Sequence, residues 1–354
     1  MSRFISSRLS SLVPYTPGEQ PKDMQYVKLN TNESPFPPSS LAVEAAGKAA
    51  ESLHLYPDPE CRALTEAVAA YCGADFEEVL LTNGSDEILN FAFMAFCDKD
   101  HPAVFPDITY GFYKVFADLN GVPYREIPLK DDFTVNVDDY IGVGGTIFLA
   151  NPNAPTGICL PISDIERILQ GNPDNVVVID EAYVDFGGES CVSLIHKYDN
   201  LLVTQTFSKS RSMAGARLGF GVGCKELIRD LNTVKYSTNP YNINRMTMAA
   251  GLGVMQDDAY TKRNCETIIK NRTYTAEKLQ ALGFTMTDST TNFLFAKHEK
   301  VSGKEIYQKL KEKGVLVRHF DTPKLSDYNR ITIGSLEQMQ ILIQQLEEIV
   351  RDGQ

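Results

Sequence analysis

Between residues 79 and 206, short runs of aliphatic and β-branched residues alternate with helix-length stretches, and this alternation limits the available folds more than any other feature. Residues 79–82 precede a predicted helix at 86–96, 103–105 precede one near 110–120, and 146–150 precede one at 162–169; 176–179 and 201–204 are further apolar runs. Strands separated by helices are joined by crossovers, which gives a mainly parallel sheet covered on both faces. The fold class is therefore α/β. Ligands of such sheets sit beyond the carboxyl ends of the strands, so the residues just past each run carry the functional question.

The flanking segments read differently. The first thirty residues, with Pro14, Pro17, Gly18 and Pro21, form an irregular arm. Helices are expected at about 41–53, with Ser39 and Ser40 as possible caps, and at 61–72. After about residue 240 long helical stretches (242–256 and 257–282) lead to short strands at 293–296, 315–318 and 330–333 and a closing helix at 336–350, a smaller α+β unit. A chain of 354 residues exceeds what one core usually organises. The expected division is an arm (1–30), a large domain (31–242) and a small C-terminal domain (243–354).

Charge and cysteines narrow the setting. A net charge of −12 argues against a nucleic-acid partner while leaving room for a local basic pocket. Seven dispersed cysteines without a CxxC pair read as reduced thiols of a cytoplasmic protein. No apolar run reaches membrane length, no signal peptide is visible, and the five histidines lack metal-ligand spacing.

Five motifs follow the strand-like runs. Thr206-Phe207-Ser208-Lys209, with Gly215-Ala216-Arg217 after it, gathers two hydroxyls and a guanidinium suited to a phosphate dianion around a lysine. Alone, Lys209 would be a solvated surface residue; among such groups it can lose its proton and attack an aldehyde. Asp180-Glu181-Ala182-Tyr183 ends an apolar run, and its carboxylate suits a protonated ring nitrogen, a turn cap or, less readily without a phosphate loop, a magnesium ion. Asn151-Pro152-Asn153-Ala154-Pro155-Thr156-Gly157 is either a dense turn or the bearer of an amide donor, Asn153. Asn83-Gly84-Ser85-Asp86-Glu87 is an ordinary helix start or a phosphate cradle of backbone N–H groups. Tyr110, in Pro106-Asp107-Ile108-Thr109-Tyr110-Gly111, is an aromatic placed to stack on a ring. Gly219-Phe220-Gly221-Val222-Gly223 lacks GxGxxG spacing and reads as a glycine-bearing strand.

In their order and spacing these motifs resemble those of the fold-type I pyridoxal-phosphate aminotransferases, and most of all the histidinol-phosphate aminotransferase family, over nearly the whole chain. The resemblance implies a mainly parallel seven-stranded sheet and pyridoxal 5'-phosphate as cofactor. It implies that Lys209 forms a Schiff base with it, that Asp180 pairs with its ring nitrogen, that Asn153 and Tyr183 reach its phenolic oxygen and that Tyr110 stacks on the ring. Gly84, Ser85, Asp86, Thr206, Ser208 and Arg217 would hold its phosphate, together with Tyr56 from across a homodimer interface. Arg330 and Arg318 would grip the substrate's anionic end, with Asn32 nearby and Tyr15, in Pro14-Tyr15-Thr16-Pro17-Gly18, near the substrate of the other subunit. On the residues alone, Asn32 also reads as a turn residue and Arg318 as a surface ion pair.

The implied reaction is transamination between L-histidinol phosphate and 2-oxoglutarate, giving imidazole-acetol phosphate and L-glutamate, in histidine biosynthesis with ping-pong kinetics. An aromatic amino-acid aminotransferase and a threonine-phosphate decarboxylase-like lyase share the frame; a cofactor-sensing regulator would need a DNA-binding segment. One departure stands out. Ser210-Arg211-Ser212-Met213 follows the lysine where a largely apolar run is expected, which puts substrate preference in question.

Overall fold

The computed structural model describes residues 2–352; the outermost residues of the expected arm and C-terminal domain, 1 and 353–354, lie outside them. The arm leads through strand β1 (Val27–Lys28) to helices α1 (Ser40–Ala50), capped by the Ser39 hydroxyl, and α2 (Arg62–Cys72). There follow β2 (Val79–Thr82), α3 (Ser85–Phe96), β3 (Ala103–Pro106), α4 (Phe112–Asn120), β4 (Tyr124–Ile127), β5 (Thr146–Ala150), α5 (Ile162–Gly171), β6 (Val177–Asp180), β7 (Leu201–Thr206), β8 (Gly219–Gly223) and α6 (Lys225–Thr238). The C-terminal third contains α7 (Arg245–Gln256), α8 (Asp258–Ala281), β9 (Phe284–Met286), β10 (Phe293–His298), α9 (Gly303–Glu312), β11 (Val315–Leu316), β12 (Arg318–His319), β13 (Tyr328–Thr332) and α10 (Leu336–Asp352).

Seven strands form the central sheet in the order β2-β8-β7-β6-β5-β3-β4, parallel except for β8, which runs antiparallel to both neighbours. Its strands alternate their side chains between two cores. Val177, Ile179, Leu201 and Val203 face one layer, while Val178, Leu202, Phe105 and Phe148 face the other. Burial on both faces is why these strands are continuous apolar runs. The glycines of β8 have a steric role: a β-carbon on Gly219 would lie 2.4 Å from the Ser85 nitrogen. Glycine there lets the start of α3 approach the sheet.

A second sheet, β12-β13-β10-β9, is antiparallel and packs with α8, α9 and α10 around a separate core. Two features cross the expected boundaries. β1 pairs in parallel with β11, and Leu29 is buried in the C-terminal core, so the end of the arm belongs to that unit. Ile243, Ala250 and Val254, beyond residue 242, are buried in the core of the large sheet, and α7 packs along α1. No helix among the described residues is long and apolar enough to cross a membrane.

Candidate active site

The carboxyl ends of β2, β3, β5, β6 and β7 lie along one edge of the central sheet, and the five motifs cluster there. Ser85, Asp86, Tyr110, Asp180, Tyr183, Thr206, Ser208, Lys209 and Arg217 all line one cavity of about 270 Å³. Ala150, Ala154, Ala182 and Ala214 supply small walls to it. A second, larger cavity of about 740 Å³ shares Tyr110, Tyr183 and Lys209 with the first and adds Tyr15, Asn32, Arg318 and Arg330.

Asp180, the last residue of β6, forms the floor. It is almost fully buried, and its partners are the Tyr113 hydroxyl (3.1 Å), the Ala182 N–H (3.3 Å) and the Thr204 hydroxyl (3.4 Å). Burial pushes its carboxyl up to about 6; the Tyr113 hydrogen bond pulls it down and the charge of Asp86 raises it again. A buried carboxylate held only by neutral donors is the complement of a protonated ring nitrogen.

The opposite end gathers groups of the kind that hold a phosphate. Helix α3 opens at Gly84-Ser85, and its first N–H groups and positive dipole end face the cavity. Gly84 has φ +77, and a β-carbon there would lie 2.6 Å from the Arg217 guanidinium. Arg217 pairs with Asp86 (2.8 Å) and reaches the Ser208 hydroxyl (3.4 Å), and Asp86 also accepts from the Tyr110 hydroxyl at 2.7 Å. The Thr206 hydroxyl accepts from the Ser208 N–H at 3.1 Å. Hydroxyls, a guanidinium and a helix start around one end, with a buried carboxylate at the other, fit pyridoxal 5'-phosphate.

Lys209 lies between these ends, donating to the Thr31 carbonyl (3.2 Å) and lying 5.8 Å from the Tyr183 ring. The Tyr183 hydroxyl accepts from the Asn32 side chain at 3.0 Å. Asn32 is buried in left-handed backbone (φ 55) and held by Thr332 and Asn292, so the arm's end is tied to the C-terminal sheet at the site. Arg330 is partly buried and donates to the Asn30 carbonyl at 3.1 Å; Arg318 lies 3.4 and 3.5 Å from the Thr16 and Pro17 carbonyls. Neither meets a carboxylate among the described residues. Tyr15 stacks on Phe112 with ring centroids 4.2 Å apart and lines the cavity of its own chain.

Two expected residues stand apart. Asn153 directs its amide nitrogen to the Ile108 carbonyl and Thr156 hydroxyl, both at 3.0 Å, and its neighbour Ala154 lines the cavity instead. Tyr56 lies outside both cavities, 79% exposed and stacked on Tyr241 at 4.7 Å. Sequence reasoning missed Thr31, Glu33 and Tyr113; Tyr113 follows Tyr110 by one helical turn, a spacing that could have flagged it.

The Ser210–Met213 departure also resolves. None of the four lines either cavity. Arg211 is buried, ion-paired with Asp185 at 3.1 Å, and lies 4.9 Å from the Tyr71 ring and 5.3 Å from that of Phe207. Ser210 donates to the same Asp185 carboxylate, Ser212 bonds Ser34 at 2.8 Å, and Met213 is in the core.

Comparison with known proteins agrees with this geometry. The description "aminotransferase class I and II" matches residues 24–346. The chain is 46% identical to histidinol-phosphate aminotransferase of Brachyspira hyodysenteriae, over 99% of this chain and 100% of that protein. It is 48% identical to the enzyme of that name from Marinomonas sp., with the same coverage. Among solved structures, histidinol-phosphate aminotransferase from Sinorhizobium meliloti in complex with pyridoxal-5'-phosphate superposes with a TM-score of 0.85 at 23% identity, covering 93% of this chain and 92% of that one. At that identity the likeness speaks to the fold. The chain belongs to the class I and II aminotransferases and, within them, to the histidinol-phosphate aminotransferase family.

Proposed function

We propose that this aminotransferase transfers the amino group of L-histidinol phosphate to 2-oxoglutarate, giving imidazole-acetol phosphate and L-glutamate. The observation that carries the substrate reading is the pair Arg318 and Arg330, two guanidiniums in one cavity with Lys209 that have no carboxylate ion-pair partner among the described residues. Two adjacent guanidinium charges suit a phosphate dianion better than a single carboxylate requires.

When bound, pyridoxal 5'-phosphate supplies an aldehyde that condenses with amines and a ring that takes up the electron pair freed at the substrate's α-carbon. Lys209 Nζ is the amine that carries it and then moves the proton at that α-carbon. Asp180 holds a proton on the ring nitrogen, which keeps the ring electron-poor. Arg217, Ser208, Thr206 and the N–H groups of Ser85 and Asp86 grip the phosphate, with Gly84 leaving room for them. Tyr183 would serve the phenolic oxygen, and Asn153 would do so only with its amide turned from the Ile108 carbonyl and Thr156 hydroxyl. Tyr110 stacks on the ring and excludes water. Arg318 and Arg330 orient the substrate phosphate, with Tyr15 and Asn32 closing the cavity around the rest. Both half-reactions use this one site, so the kinetics are ping-pong.

The exposed Tyr56, beside the exposed Leu53 and Leu55, supports its role at the phosphate site of a second copy in a homodimer. Arm 1–30, large domain 31–242 and small domain 243–354 remain the proposed division, with α7 packed back onto the large core. Seven free cysteines support a cytoplasmic location.

The test is a coupled assay for glutamate formed from histidinol phosphate and 2-oxoglutarate, with phenylalanine and tyrosine as competing donors. Preference for the aromatic amino acids would overturn the substrate reading. Turnover retained in Lys209→Ala would overturn the role of the lysine.

A further inference from the structure

Arg318 and Arg330 stand directly opposite each other on β12 and β13. Side chains of such a pair leave the same face of the sheet with β-carbons about 5 Å apart, where like charges repel. Burial holds Arg330 below the ordinary guanidinium range, and the neighbouring Arg318 charge acts in the same direction. Arg330 Nε is buried without a partner. Among the described residues no carboxylate pairs with either guanidinium, and the acidic influence on Arg318 is the charge of Glu19 acting from further off.

What the two charges share is Phe320. Its ring centroid lies 5.6 Å from the Arg318 guanidinium carbon and 5.9 Å from that of Arg330. Phe293 offers Arg330 a second ring at 5.4 Å. Phe320 also meets Phe295, the cross-strand neighbour of Arg330, edge-on at 6.3 Å, and packs against an apolar cluster that includes Ile108 and Leu129 of the large domain. The ring is thus held by apolar packing and lies within cation–π distance of both guanidiniums.

We propose that Phe320 is a positioning residue of the substrate's anion site: its ring holds the two guanidiniums side by side without neutralising them, so both keep their positive charge for one phosphate dianion. A carboxylate in that place would attract the pair more strongly but would cancel charge the substrate needs. An aromatic ring attracts cations through its quadrupole and carries no net charge. The inference rests on the reading of Arg318 and Arg330 as the anion-binding pair.

The test uses the holoenzyme, whose cofactor phosphate site is filled. Phe320→Leu keeps an apolar filler in the cluster and removes the π system; Phe320→Met is a second such change should the first fold poorly, and Phe320→Tyr retains the ring. The Leu and Met variants should raise KM for histidinol phosphate roughly 5- to 30-fold, the range of one or two lost cation–ring contacts. Their kcat should stay within about two-fold of wild type, the signature of lost ground-state binding. The inhibition constant of inorganic phosphate should rise by a similar factor, and Phe320→Tyr should restore both. Lower melting temperature with unmoved KM and inhibition constant would show a packing role only and overturn the proposal. If wild type does not turn over histidinol phosphate, the substrate reading falls, while phosphate competition against the accepted donor still decides on Phe320.

Discussion

Tyr113 donates its hydroxyl to Asp180 over 3.1 Å beneath the cavity, and both residues are buried. The contact joins helix α4 to the end of β6 and gives the floor carboxylate a neutral partner. Tyr113→Phe should therefore leave Asp180 harder to ionise and weaken its hold on a protonated ring nitrogen. Hydrogen bonds to charged groups contribute about 1.5–3 kcal/mol, so affinity for pyridoxal 5'-phosphate should fall roughly 10- to 100-fold. Equilibrium titration of the apoprotein with the cofactor measures this, and an unchanged Kd would refute it.

The same carboxyl makes the stability of the apoprotein depend on pH. Asp180 titrates at about 6 against an ordinary 3.8, and Glu181, held by Ser190, Cys191 and Gln205, at about 7 against 4.5, in both cases because of burial. A folded-state pKa above the unfolded value means that the native protein binds the proton more tightly. The stabilisation is complete below about pH 4 and is lost as pH rises through 6 to 7. Asp180→Asn should lose on the order of 3 kcal/mol less than wild type between pH 4 and 7. Urea unfolding at a series of pH values reads the difference; parallel curves for the two proteins would count against it.

Gly84 is placed where a side chain cannot go. Alanine there would combine positive φ with a β-carbon 2.6 Å from the Arg217 guanidinium. Gly84→Ala should cost about 1–2 kcal/mol of stability through the backbone alone. Displacement of Arg217 should also lower affinity for the cofactor phosphate more than for pyridoxal itself. Comparing the two ligands separates the effects: equal losses would mean that Arg217 has not moved.

Breaking the ion pair between buried Arg211 and partly exposed Asp185 should be costly and functionally neutral in one respect. Asp185→Ala strands a buried guanidinium, a change worth roughly 3–5 kcal/mol in comparable settings. The ratio of kcat/KM values for histidinol phosphate and phenylalanine should nonetheless hold, because neither residue lines a cavity. Thermal unfolding and the specificity ratio are the two measurements; a shifted ratio would place Arg211 in substrate selection after all.

The central strands were legible because both faces are buried, which writes them as unbroken apolar runs such as Val177–Asp180. The edge strand β4 was not, since Arg125 and Glu126 face solvent there and leave no run to read. Residues 315–318 read as one strand, yet the chain changes sheets at Val317: β11 pairs with β1 and β12 with β13. Periodicity reports that a segment is extended but not which partner it takes. The residues that line the first cavity were legible as motifs because most of them follow a strand on the same sheet edge. Thr31 and Glu33 were not, because only the fold brings the arm beside Lys209. The orientation of the Asn153 amide and the inward course of Arg211 are settled by packing that no local pattern encodes.

The buried course of Arg211 changes what variation in this loop means. Lys209 reaches the cavity from a short post, and the next four residues are its footing, fastened to Asp185, Ser34 and the core. Drift at 210–213 among related chains would then be paid in rigidity and heat tolerance, leaving ligand choice to be set elsewhere. Two relatives that differed only here would then differ in the firmness of that footing and not in the side chains that line the two cavities.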